Sequence, residues 1–574
     1  MQEISTLPGV VVEVASAVPA FIGYTEKTHY DGRDLTGVPE PVASFKDFET
    51  RFGREAPIDL EAVEIRTDAS GRFQNVEAVH FKRRFLLYQA VYTYFKNGGD
   101  SCFVVSIGAY KNIAVDSTDK DDFLHALKSL EVIDDVTLLV MPEAVFLGDS
   151  LPSVQQAALA QCAKQHNRFA ILDIAETTNG KNTLLHWNHS PNMDAWKKNC
   201  QDFRDHIGSM NLSYGAAYTP YILTDVKAGV RYEHFRHCLV KAGMSVDTPE
   251  NLLTLHILDP AAASSIASLE TALHDLFCLQ KAIDKFNSLT AEAFKSLTES
   301  SESSEKNNNT LSAAMRRYIE DHKKILSIST PDAALQSPEK QKEVYEFIEN
   351  GISLNIQRLS DGLESSSAVY RAIASAVQGA VQVQPPSAAI AGIYANVDRQ
   401  RGVWKAPANV SLSNVKGLSQ TITVTMQESL NSDPVAGKSI NALRSFPGQG
   451  VLVWGARTLD GNSLEWRYIP VRRFFLTIEE SIRRATSWTV VEPNDATLWV
   501  KLKAMIDNYL LQKWKEGALA GASPAEAFYV AVGLGSTMTE QDILEGRLFI
   551  DIGMAVVRPA EFIVLRFAHK MQQS

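Results

Sequence analysis

The sequence predicts a mixed α/β protein of several domains, and three observations carry that prediction. Short, nearly continuous apolar runs such as "SCFVVSIG" (101–108) and "VTLLVMPEA" (136–144) alternate with helical patterns between about residues 44 and 245. Runs of that length fit strands covered on both faces. Near residue 260 the pattern turns to helical spacing alone, and it returns to mixed strand and helix after "VQVQPPSAA" (381–389). The chain has 574 residues, more than one hydrophobic core holds, so about two to four domains are expected.

Residues 1–30 read as an N-terminal arm followed by the first strands. Val10, Val12 and Val14 fall on one side of a strand and Val11 and Glu13 on the other. "AFIGYT" (20–25) reads as a second short strand. Residues 31–245 read as an α/β outer domain. In it "RFLLYQAVYTYFKNGG" (84–99) is a helix closed by Gly98–Gly99, and "LPSVQQAALAQCAKQHN" is a helix leading into the strand "RFAILDIA". Residues 246–385 read as a helix-rich insertion. Ile266, Leu269, Leu273 and Leu276 form a stripe that Ile283 and Phe286 continue, and "TESSESSEKNNNT" (298–310) is too polar to order itself. This insertion is expected to be an outer knob that the remainder does not need.

Residues 386–574 form a C-terminal domain in this reading. "GVLVWGART" is a buried strand and "EWRYIPVRR" a partly exposed one. "FFLTIEESIRRATS" is amphipathic, with Phe475, Ile478, Ile482 and Ala485 on one face. "PNDATLWVKLKAMIDNYLLQKWKEG" is a longer helix capped by Asn494 or Asp495. "SPAEAF" has the form of a capping box on Ser523 and Glu526, with Pro524 at the first helical position. "GRLFIDIGMAVVRP" and "EFIVLRF" read as strands.

Composition excludes several classes. A formal net charge of −11 argues against nucleic acid as the main partner, because phosphate binding needs a basic field. The five cysteines are scattered without C-x-x-C spacing, as buried free thiols would be. No apolar run approaches the ~20 residues a membrane helix needs. No basic stretch precedes an apolar run at the start, so synthesis and assembly in the cytoplasm without a signal peptide are expected. "HFRHC" (234–238) and "HWNH" (186–189) lack the paired spacing of a zinc site. "GQG" (448–450) and "GLGS" (533–536) fit turns and match neither a phosphate loop nor a dinucleotide fingerprint. Asp398, Arg399 and Arg401 read as a salt-bridge cluster or an interface. Glu479 and Glu480 stand four residues before Arg483 and Arg484, a spacing worth about 0.2–0.5 kcal/mol per pair on a solvated helix face. No catalytic residue, cofactor or metal ligand is nominated. A cytosolic α/β enzyme with a helical lid at 246–385 is the remote alternative.

The C-terminal third resembles contractile tail sheath proteins, the family of phage tail sheaths and contractile injection system sheaths. The residues that carry this are "PSAAIAGIYANVDRQRGVWKAPANV" (386–410), "INALRSFPGQGVLVWGARTL" (440–459), "WRYIPVRRFFLTIEESI" (466–482), "EPNDATLW" (492–499) and "VRPAEFIVLRF" (557–567). "PGVVVEV" looks like the family's opening Pro-Gly-Val-Tyr-Val-Glu-Glu, with Val11 for Tyr and Val14 for the second Glu. "AFIGYT", "SFKDFETRFG" and "NGGDSCFVV" match as well. The resemblance covers about 1–245 and 386–574, and leaves 246–385 outside it.

The resemblance implies a structural polymer: hexameric rings stacked helically around an inner tube, with baseplate and cap proteins at the ends, contracting to drive the tube through a target envelope. It implies a core domain built from both chain ends and terminal strands exchanged between subunits. The candidate arms are Val10, Val11, Val12 and Val14 at one end and Phe562, Ile563, Val564, Leu565 and Phe567 at the other. A strand without a partner exposes a row of N–H and C=O groups, and a neighbour's sheet can take it. A charged helix of the C-terminal domain is expected to contact the tube. The candidates are Arg483 and Arg484 on the shorter helix, or Lys501, Lys503, Lys513 and Lys515 on the longer one. An extracellular phage-tail-like injection system is the leading owner of such a sheath, and a contractile-tailed bacteriophage the alternative.

Overall fold

The computed structural model describes residues 10–188, 192–245, 247–287, 338–431, 433, 435 and 437–559. A nine-stranded sheet dominates it. Six strands run parallel in the order Cys102–Ala109, Pro19–Thr25, Leu138–Val140, Phe169–Asp173, Gly215–Thr219 and Asn441–Phe446. Antiparallel strands close both sides: Glu40–Val42 pairs with Cys102–Ala109, and Gly450–Trp454 followed by Val410–Ser411 pairs beyond Asn441–Phe446. The first parallel strand comes from the N-terminal region and the last from the C-terminal third. The sheet therefore joins both halves of the chain.

The central strands are fully buried, which is why they read as unbroken apolar runs: PAFIGYT and FAILD show no exposed residue. Helices Leu87–Lys96, Lys120–Ser129, Leu151–Gln165 and Ser387–Arg401 cover the sheet. Helices 87–96 and 387–401 approach closely because position 392 is glycine. A Cβ there would lie 2.6 Å from the Tyr94 carbonyl oxygen.

A second core lies to one side. Strands His186–Asn188, Phe73–Arg83, Asp59–Thr67 and Leu239–Lys241 form a four-stranded sheet in that order. Its Val63, Ile65, Val79 and Phe81 pack with Leu255, Ile266, Leu269, Leu273, Ile352, Ile356, Tyr370 and Ile373 from the helices of the expected insertion. The hydrophobic cores thus do not divide at residues 245 and 385. The stripe of Ile266, Leu269 and Leu273 is buried because a sheet built from 59–83 needs covering. Ile283 and Phe286 lie in the helix Ala263–Asn287, and the 298–310 loop lies outside the described residues.

The third core is C-terminal. Helix Ile469–Thr486 and helix Ala496–Lys515 pack with the ribbon Phe528–Val532/Ile550–Met554 around Phe474, Ile478, Ile482, Leu502, Met505, Ile506 and Leu510. Asp495 is the N-cap of the longer helix, accepting the Leu498 N–H at 2.9 Å. The shorter helix begins earlier than the sequence pattern suggests. "EWRYIPVRR" is not a strand: Pro470 starts the helix within its first two positions, where its missing N–H costs nothing. Ser523 caps Pro524–Ala527 by position only, since the Glu526 carboxylate takes the Ala522 N–H instead.

Candidate assembly surface

Residues 10–18 cross the seam between the large sheet and the C-terminal core. No strand is formed over 10–18, and the burial is the reverse of the expected face. Val10 and Val12 are 64% and 58% exposed while Val11 is 8% exposed, seated in the C-terminal core with Phe474 and Tyr509. The valine alternation is a period-2 pattern, but the partner is a helix pair that takes one side chain.

Polar contacts fasten this segment. The Val14 N–H donates to Ser481 Oγ at 3.1 Å and the Val18 N–H to Thr137 Oγ1 at 2.7 Å. Glu13 pairs with Lys513, whose ammonium also meets Glu516 at 2.8 Å and lies 5.4 Å from the Trp404 ring centre. At the centre sits a buried ion pair. Arg473 donates to both oxygens of Asp398, at 3.0 and 2.5 Å, with 2% and 7% of the two side chains exposed. Ser16 completes it: its hydroxyl donates to Asp398 Oδ2 at 2.6 Å and its carbonyl accepts from Arg473 Nη2 at 2.8 Å. Removing one member of such a pair leaves a buried charge, so the clasp fixes where the arm leaves the body. Cavities of about 480 and 490 Å³ flank the segment, the first reaching Asp134, Asp135 and Arg484, the second Arg399, Trp404 and Lys513.

The carboxyl ends of the parallel strands, where open α/β sheets usually take ligands, carry buried acids that bond within the chain. Glu143 accepts the N–H groups of Tyr24, Leu86 and Leu87 at 2.7–2.9 Å, the last two at the start of helix 87–96. Asp173 accepts the N–H and hydroxyl of Ser387 at the start of helix 387–401, and Glu176 accepts the Tyr221 N–H and the Ser419 hydroxyl. Burial pushes each of the three up to about 7, against the pull of these hydrogen bonds. Glu143 and Asp173 stand at helix starts, where an anion would otherwise bind. Among the described residues, no group of three or more His, Cys, Asp and Glu is placed to hold a metal. In "HFRHC", His234 Nδ1 accepts the Arg231 N–H and the Cys238 thiol faces main-chain carbonyls.

The two helices proposed for a tube contact differ in how their cations are used. Arg483 pairs with Glu480 at 2.7 Å. Arg484 pairs with Glu480 at 2.5 Å and Asp135 at 2.9 Å, tying helix 469–486 to the 134–135 loop. Lys513 is committed to Glu13 and Glu516. Lys501 is exposed beside the Trp488 ring, and Lys515 is exposed. Lys503 donates to the Val530 carbonyl and pairs with Asp507 at 3.5 Å. Asp398 and Arg473, which the structure brings together with Ser16, are 75 residues apart; of the three, the sequence pattern singled out only Asp398. Phe562, Ile563, Val564, Leu565 and Phe567 lie outside the described residues.

Two family models match the chain back to back. The phage tail sheath protein central domain covers residues 283–459 and the phage tail sheath C-terminal domain residues 462–570. The first includes 283–385, which the sequence resemblance left out. These matches define a tail sheath protein by class. The chain belongs to the contractile tail sheath family. A tail sheath protein of Vibrio phage KVP40 is 29% identical over 126 residues, which are 22% of this chain and 18% of that protein's length. Among solved structures, the PVC sheath of an extracellular contractile injection system in the contracted state is 22% identical, with a TM-score of 0.53 over 99% of this chain and 96% of that one. The contracted helical sheath of the anti-feeding prophage is 23% identical, with a TM-score of 0.52 over 99% and 98%.

Proposed function

We propose that this chain is the sheath subunit of an extracellular phage-tail-like contractile injection system. In this reading it polymerises as stacked hexameric rings around an inner tube, meets baseplate and cap proteins at the ends, and contracts to drive the tube through a target envelope. The observation that carries it is the near end-to-end correspondence of fold with contracted injection-system sheaths. The tail sheath of a contractile-tailed phage is the second reading, favoured by the similarity to the phage KVP40 protein.

The terminal arms join subunits in this proposal. The ribbon 528–532/550–554 packs on helix 496–515 and, among the described residues, pairs with no third strand, so its edges are open to an added strand. It is the natural acceptor for an arm from a neighbour. Ser16, Asp398 and Arg473 anchor residues 10–18 to their own body, and in this proposal the exchanged part of the N-terminal arm lies on the chain-end side of that anchor. The tube contact belongs to the exposed side of helix 496–515, through Lys501 and Lys515, because Arg483, Arg484 and Lys513 are spent on contacts within the chain. Among the described residues no helix is long and apolar enough to cross a membrane.

Two truncations test the proposal, one removing residues 1–9 and the other residues 559–574. Each is expected to leave a folded subunit that builds no sheath in electron micrographs. Full-length sheath from both truncated chains refutes strand exchange.

A further inference from the structure

The strand His186–Asn188 is the edge of the four-stranded sheet and lies where that module borders the nine-stranded core. Leu185 and Trp187, at and beside His186–Asn188, each pack against both cores. His186 stands directly opposite His80 in the antiparallel pairing of that strand with Phe73–Arg83. Their Nδ1 atoms are 2.9 Å apart, and His80 Nε2 is 2.8 Å from Glu64 Oε1.

We propose that His80 and His186 form a proton-operated latch that holds the edge strand 186–188, which borders the nine-stranded core, on the four-stranded sheet, closed at neutral pH and opened by acid.

The hydrogen-bond pattern fixes where protons can go. Glu64 accepts from His80 Nε2, so on a neutral His80 the Nδ1 is an acceptor and His186 Nδ1 donates. One added proton is accommodated. It enters at His186 Nε2 while the shared proton passes to His80 Nδ1, leaving His80 cationic beside Glu64. A second proton leaves an N–H on both facing nitrogens and two like charges opposite one another on neighbouring strands, an arrangement that repels. Lys181 adds a third positive charge. Burial, His80 and Lys181 hold His186 down at about 4.

The carboxylate in contact with the pair is matched to the first proton and not the second. A cavity of about 740 Å³ opens beside it, lined by Glu64, Lys181, Glu176 and Asp194 among others. Glu64 is already engaged by His80 and by the Gly243 N–H at 3.0 Å. Glu176 is pushed up to about 7 by burial and is neutral when His186 charges. Asp194 is the one further carboxylate lining the cavity. The sign follows: His186 has a folded value below the ordinary 6.5, so the closed latch loses stability as pH falls from about 6.5 toward 4. This inference rests on the fold and is independent of the sheath reading.

Hydrogen exchange of the full chain, read on peptides spanning 184–188 and 76–82 and corrected for the intrinsic pH dependence, tests it between pH 7.5 and 4.5. The opening constant is expected to rise below pH 6.5 by up to tenfold per pH unit, the signature of one linked proton. His186→Gln flattens that slope; His80→Gln removes the facing imidazole but not the burial of His186, so it narrows the pH window of the slope and serves if the first variant does not fold. Protection of 184–188 that is independent of pH in the wild type overturns the proposal. So does a wild-type slope retained in folded His186→Gln, or an unchanged pH window in folded His80→Gln.

Discussion

Asp398→Ala tests whether the buried clasp holds the N-terminal segment. The substitution leaves the Arg473 guanidinium 2% exposed with the Ser16 carbonyl and without its carboxylate. Breaking a buried pair on one side costs about 3–5 kcal/mol. At 1.4 kcal/mol per tenfold, detachment of residues 10–18 becomes roughly 10² to 4 × 10³ times more frequent. The readout is hydrogen exchange at Val14 and Val18, whose N–H groups bond Ser481 and Thr137 across the seam. Both should lose protection together while the sheet amides of 20–24 and 103–106 keep theirs. The double variant Asp398→Ala/Arg473→Met removes both charges and should recover most of the loss, because an apolar pair does not leave a charge stranded. Unchanged protection at Val14 and Val18 in a folded single variant refutes the reasoning. A double variant as loose as the single one also refutes it.

Val11→Ala removes two buried carbons and should cost about 1.5–3 kcal/mol of arm docking, while Val10→Ala and Val12→Ala should each stay within about 0.5 kcal/mol; exchange at Val14 reads all three. Glu143, Asp173 and Glu176 have folded values near 7, above their unfolded ones. The folded chain therefore holds more protons between about pH 4.5 and 7, and this contribution to stability declines as pH rises through that window. The urea midpoint of unassembled subunits at pH 5 and 7.5 checks the direction, and Glu143→Gln should remove about one proton from the slope. Replacing 260–380 by a short Gly/Ser linker uncovers Val63, Val79 and Phe81, so that variant should aggregate, contrary to a dispensable knob; a soluble, cooperatively melting product contradicts the shared core.

The sequence was most informative where strands are buried on both faces. The runs at 102–109, 138–140 and 169–173 and the helices between them were legible, because continuous apolar runs and amphipathic stripes are local signals. Val11 was misread because alternation shows two faces without saying which one a partner takes. "EWRYIPVRR" was misread because its aromatic and β-branched residues suit a strand, while Pro470 and the tertiary packing of Phe474 and Ile478 decide for a helix. The Ser16–Asp398–Arg473 clasp joins positions from 75 to 457 residues apart, and no local pattern encodes that pairing. The same holds for the joining of 59–83 with 255–381. A stripe announces that a helix is covered but not by what. His186 stood in a motif too weak for a metal, and only strand register sets it against His80.

The central claim is tested most directly by electron microscopy of the full chain produced together with its tube protein. The account predicts hollow cylinders with six-fold rings around a tube, which shorten and widen on triggering while the tube is left protruding. Dispersed single subunits in the presence of folded tube, or cylinders that never change length, would contradict it.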